Sequence, residues 1–108
     1  MGYTRTMRIQ MTQEYLEWIN GLRDVVGRAR IQMRVDRLVH GNPGHHRMLS
    51  SGVCELKIDF GPGYRVYYAM IAQATALLLC GGDKRTQAAD VGKAREYLSD
   101  YKARTEKP

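Results

Sequence analysis

Between Val53 and Ile71 the chain changes period, and this stretch constrains the fold more than any other. Cys54, Leu56, Ile58 and Phe60 alternate with Glu55, Lys57 and Asp59, the two-residue repeat of a strand with one buried face. Gly61-Pro62-Gly63 interrupts the repeat with turn chemistry, and Pro62-Gly63 suits the centre of a type II turn. Tyr64 to Ile71 then returns, so the segment reads as an antiparallel hairpin. Face matching favours Asp59 opposite Arg65 and Lys57 opposite Tyr67, which keeps Ile58 and Val66 together on the core side.

The flanking segments complete the plan. After a break at Ala72 to Ala74, Thr75 to Cys80 is apolar throughout and reads as a central strand covered on both faces. Upstream, Arg5 to Met11 alternates as an opening strand, and Thr12 can cap a helix beginning at Gln13. Tyr15, Leu16, Ile19 and Leu22 fall at helical spacing, with Gly21 marking a short or bent end. A second helix is expected from Val25 to His40, with Gly41 as its C-terminal cap. Thr86 can cap a last helix whose buried stripe is Val91, Ala94, Leu98 and Tyr101, and the polar tail from Lys102 is expected to fray.

The order β-α-α-β-β-β-α, in one domain of 108 residues, predicts an α+β fold. Its economical form is a mostly antiparallel four-stranded sheet with the helices packed on one face. The other face would carry Glu55, Lys57, Asp59, Arg65 and Tyr67, an open charged surface.

Charge narrows the partner. Seventeen Lys and Arg stand against eleven Asp and Glu, a formal net charge of +6, and arginine predominates. Its planar fork suits bidentate contact with phosphate, so nucleic acid is the expected polyanion. No apolar run approaches the roughly 20 residues that cross a bilayer, so no membrane partner is expected. The opening Met1-Gly2-Tyr3-Thr4-Arg5 has no secretory h-region. A cytoplasmic location with Cys54 and Cys80 reduced follows. The cysteines and histidines have no closed ligand spacing, so neither a metal nor another cofactor is expected.

Two cationic groups stand out. On the second helix Arg30, Arg34 and Arg37 run beside the apolar Ile31, Val35 and Leu38; they can track a phosphate backbone, bind an acidic partner, or form a solvated face. His45, His46 and Arg47 follow the loop Asn42-Pro43-Gly44. In the second group, Lys57 and Arg65 would project from adjacent strands while Lys84 and Arg85 leave the last strand in a flexible loop, Gly81 to Arg85. With the helix N-terminus that follows, these four cations can cradle a phosphodiester. Alternatively, Arg65 pairs with Asp59, and Lys84 and Arg85 are loop solvation. In RNA the neighbouring 2′-hydroxyl can be the nucleophile, leaving the protein to supply charge stabilisation and proton transfer, with Lys57 or Lys84 as candidate proton carriers.

The runs GVCELKIDFGPGYRVYY and LLLCGGDKRTQAAD resemble the RelE/ParE superfamily of type II toxin–antitoxin toxins. More narrowly, they are similar to the branch called addiction-module killer proteins, related to the HigB toxins. Trp18, Gly21-Leu22-Arg23-Asp24, the helix Arg28 to Leu38 and Gly41-Asn42 extend the similarity, so that it runs from about Arg8 to Leu98. The resemblance implies a RelE-like fold, ribosome-dependent mRNA cleavage, and inhibition by a cognate helix-turn-helix antitoxin, with DNA bound only through that complex. It places Arg65 on the scissile phosphate, with Lys57, Lys84 and Arg85 around it. Arg30, Arg34, Arg37, His46, Arg47 and Tyr67 are the candidate RNA contacts.

One departure stands out. RNase members carry a tyrosine or histidine near the start of the last helix or at the C-terminus, but none stands between Thr86 and Glu96 here. Asp90 is the titratable group of that first turn, either a helix-dipole partner or the base. A ParE-like inhibitor of DNA gyrase and a catalytically silent antitoxin-binding module are the alternatives on the same fold.

Overall fold

A computed structural model describes residues 6–105. Five strands form one mixed sheet: β1 (Arg8–Met11), β2 (His46–Met48), β3 (Cys54–Ile58), β4 (Tyr64–Ala72) and β5 (Thr75–Asp83). Three helices accompany them: α1 (Gln13–Gly21), α2 (Val25–Val39) and α3 (Gln87–Thr105). The spatial order is β1-β5-β4-β3-β2, with β1 parallel to β5 and every other pairing antiparallel.

The class is α+β, and the four-stranded plan needs two corrections. β2 is a fifth strand on the β3 edge; its three residues are all exposed, so no buried alternation announces it. The helices also lie on both faces. α1 and α2 cover one face through Tyr15, Ile19, Ile31, Val35 and Leu38, against Leu56, Ile58, Val66 and Leu78. α3 covers the other, where Ala94 and Leu98 meet Val53, Tyr67, Leu77 and Leu79. A uniformly apolar β5 requires this double cover. A register shift between Tyr67 and Tyr68 turns both Leu79 and Cys80 toward α3. Cys54 and Cys80 are buried in different cores.

The helix ends are specified locally. Thr12 caps α1 by accepting the Tyr15 N–H at 3.0 Å. Asp24 caps α2 by accepting the Gly27 N–H at 2.9 Å, and it also accepts from the Tyr64 hydroxyl at 2.8 Å. Gly41, at φ +84°, closes α2 as expected: its N–H bonds to Leu38 O and that of Asn42 to Arg37 O, both at 2.9 Å.

The hairpin and its surroundings correct several finer expectations. Lys57 pairs with Arg65, Leu56 with Val66 and Glu55 with Tyr67, because the turn takes five residues, 59–63. Its hydrogen bond runs from Gly63 N–H to Phe60 O at 3.0 Å, which centres the turn on Gly61-Pro62 rather than Pro62-Gly63. β5 continues through Gly81 and Gly82 to Asp83, and Lys84–Thr86 is a 3-10 turn, so Gly81 to Arg85 is not a flexible loop. Asp83 caps that turn in place of Thr86. α3 runs on to Thr105 without fraying at Lys102. Arg5, the expected start of the first strand, lies outside the described residues, and β1 begins at Arg8.

Candidate functional site

The corrected register builds the site. Lys57 lies across from Arg65, and Arg65 across from Gly82. Their strand neighbours Ile58, Tyr64 and Val66 point into the α1–α2 core, so this row faces the α3 side. Glycine at position 82 leaves the space that the Asp90 carboxylate fills as α3 begins. Asp90 is 7% exposed, and its Oδ2 accepts from Thr86 Oγ1 at 2.5 Å.

Arg65 is equally buried. Its Nη1 donates to the carbonyl oxygens of Gly63 and Tyr64 at 2.9 and 3.1 Å, and its Nε is buried with no hydrogen-bond partner. Among the described residues no carboxylate pairs with it; Asp59 instead meets His45 Nδ1 at 3.3 Å. The alternative of an Arg65–Asp59 pair is therefore corrected. Lys84 joins the group across Gly63: a Cβ built on that glycine would stand 3.3 Å from Arg65 Nη1 and 3.4 Å from Lys84 Cβ. Arg85 does not join. Its exposed guanidinium pairs with Asp83 at 3.3 Å. The expected cradle of four cations is thus three, Lys57, Arg65 and Lys84, with Asp90 beside them.

One row further in, Glu55 is fully buried, a position its place in the alternation did not reveal. Its Oε2 accepts from Gln87 Nε2 at 2.8 Å, and its Oε1 lies 3.3 Å from Arg47 Nη2. Neither β2, which brings Arg47, nor the α3 docking that brings Gln87 is visible in the local pattern. Tyr67 is also fully buried, and among the described residues its hydroxyl has no well-formed hydrogen bond. Burial first, then the Glu55 carboxylate, hold its phenol well above the ordinary value. Tyr67 consequently offers RNA no surface. Arg47 keeps half of its side chain exposed while holding Glu55.

A protein of Haemophilus influenzae strain Rd, described as an uncharacterized protein, is 39% identical over 90 residues, covering 83% of this chain and 91% of that protein. This chain belongs to its family. No protein-family model matches.

The remaining candidate RNA contacts divide by their partners. Arg34 is held in the structure: it donates to the carbonyls of Pro43 and His45 at 2.8 Å and to that of Lys57. Burial, reinforced by the charge of Arg37, pushes its guanidinium below the ordinary value, with Asp59 opposing. Arg30 lies over the Phe60 ring at 4.9 Å, and Arg37 is exposed one turn beyond Arg34. His46 pairs with Leu56 across β2–β3 and sits 2.8 Å from Gly44 O, on the sheet face opposite Arg65. No group of three His, Cys, Asp or Glu stands close enough to hold a metal ion among the described residues. Nor is any described helix long and apolar enough to cross a membrane.

Proposed function

We propose that this protein is the toxin of a type II toxin–antitoxin pair, of the RelE/ParE kind and HigB-like, and that it cleaves mRNA on the ribosome in the cytoplasm. The observation that carries this reading is Arg65. A guanidinium so nearly buried, turned by two backbone carbonyls and left without a carboxylate, costs free energy that an arriving phosphate offsets.

On this reading the 2′-hydroxyl oxygen attacks the adjacent phosphorus, the P–O bond to the 5′-oxygen breaks, and a 2′,3′-cyclic phosphate and a 5′-hydroxyl end result. Arg65 and Lys57 take the charge that builds on the non-bridging oxygens. Asp90 accepts the 2′-hydroxyl proton, and Lys84 supplies one to the leaving oxygen. A helix-turn-helix antitoxin would restrain the chain and carry it to DNA.

The test is expression without any partner, with mRNA 5′ ends mapped and Arg65→Ala as control. New ends within translated frames, absent from the control, are the expected result. Growth arrest with intact mRNA and broken DNA would replace the reading with gyrase inhibition. No arrest at all would leave a catalytically silent antitoxin-binding module.

A further inference from the structure

The β3–β4 turn, residues 59–63, has basic groups on both sides. One side is the hollow of Lys57, Arg65 and Lys84. On the other side, α2 and the turn flank a separate open pocket of about 190 Å³, lined by Arg30, Arg34, Arg37, Met33, Ile58, Asp59 and Phe60. Three of those seven residues are arginines, and the structure gives them different tasks. Arg34 is fixed by three backbone carbonyls and forms a wall. Arg30 and Arg37 are exposed and have no carboxylate partner among the described residues. Asp59, the acid of the rim, pairs with His45.

The Arg30 guanidinium carbon lies 4.9 Å over the Phe60 ring, a cation–π contact that holds the charge near the turn before any ligand arrives. A guanidinium held by an aromatic ring keeps N–H donors for an oxyanion, and an aromatic ring beside it suits contact with a nucleobase. We propose that Arg30, Arg37 and Phe60 form a second phosphate-binding site, which takes a nucleotide of the same single-stranded RNA whose scissile phosphate meets Arg65. A strand with one charge per nucleotide, passing over residues 59–63, meets both sets of cations in turn. Arg34 contributes by holding the wall, not by touching RNA. This inference rests on the RNase reading for its ligand, while its geometry is independent of the Arg65 hollow.

The test is equilibrium binding of a 2′-O-methyl single-stranded RNA, which cannot be cleaved, over a range of salt concentrations. The full chain is compared with Arg30→Ala/Arg37→Ala and with Arg65→Ala, thermal unfolding confirming that each variant is folded. Removing two phosphate-neutralising cations from a single-strand site should lower the salt-dependence slope by about 1.4 and weaken binding by about 25-fold at 0.1 M salt. Unchanged slope and affinity in a folded double variant would overturn the second site, even if the wild-type chain cleaves mRNA. Polyglutamate binding that is lost in the double variant while RNA binding is unchanged would overturn it too, in favour of an acidic protein partner. No RNA binding by wild type would overturn this inference and the RNase reading together.

Discussion

The Asp90 carboxylate occupies the place where a side chain at Gly82 would begin: a Cβ built there would overlap Asp90 Oδ2. Gly82→Ala should therefore drive the first turn of α3 off the sheet, destabilising the chain by about 1–3 kcal/mol, as overpacking does. Urea unfolding measures this. In an Asp90→Ala background the same substitution should cost clearly less, because the nearest obstruction has gone and Thr86 Oγ1, 2.8 Å from the built Cβ, is left; equal costs in both backgrounds would show that the two positions are not coupled.

Gly27→Ala should destabilise the protein although alanine is the better helix former by about 1 kcal/mol. A Cβ at Gly27, within α2, would lie 2.5 Å from Asp24 Oδ2 and 2.6 Å from the Tyr64 ring. The clash falls on the contact that joins the α2 cap to β4. A lower melting temperature for Gly27→Ala is the expected outcome, and a higher one would contradict this packing.

Tyr67→Phe should leave stability unchanged or raise it by about 1 kcal/mol. Among the described residues the buried hydroxyl makes no well-formed hydrogen bond, and its neighbour is the Glu55 carboxylate on the facing strand, so its removal relieves a desolvation cost and gives up at most a weak contact with that acid. Denaturant midpoints of the two proteins decide the point. A loss of more than about 1 kcal/mol would mean that the hydroxyl has a partner.

Acid should loosen the α2–β4 contact through Asp24. Its carboxyl lies below the usual range, chiefly because it accepts the Gly27 N–H and then because it accepts the Tyr64 hydroxyl. A depressed folded-state value gives stability that is fully present above the ordinary carboxylate value, about 3.9, and is lost as pH falls through the folded one. Asp24→Asn should flatten the pH dependence of the melting temperature below about pH 4 and leave its slope near pH 7 unchanged.

The hairpin, the Thr12 cap of α1, the Gly41 close of α2 and the buried stripe of α3 were legible because each depends on a local repeat or one residue, whereas the Asp24 cap of α2 was not read. Local pattern does not fix how many residues a turn absorbs. The five-residue turn moved Lys57 opposite Arg65, and with it the arrangement of the candidate site. β2 left no trace because three exposed residues carry no alternation. The apolar run from Thr75 to Cys80 already required cover on both faces, in conflict with helices on one face only; α3 supplies that cover. Glu55 read as a solvent-facing acid because Arg47 and Gln87 reach it from elements distant in the chain.

The parallel pairing of β1 with β5 joins Arg8 to Thr75 and Met11 to Leu78. During synthesis, β1 and α1 must wait for nearly seventy more residues before their partners emerge, and such long-range closure is slow. Asp90 follows later still. Truncated products of interrupted translation, ending before β5, therefore lack both the interior strand that joins β1 to the sheet and the seat of Asp90. They should be quickly degraded.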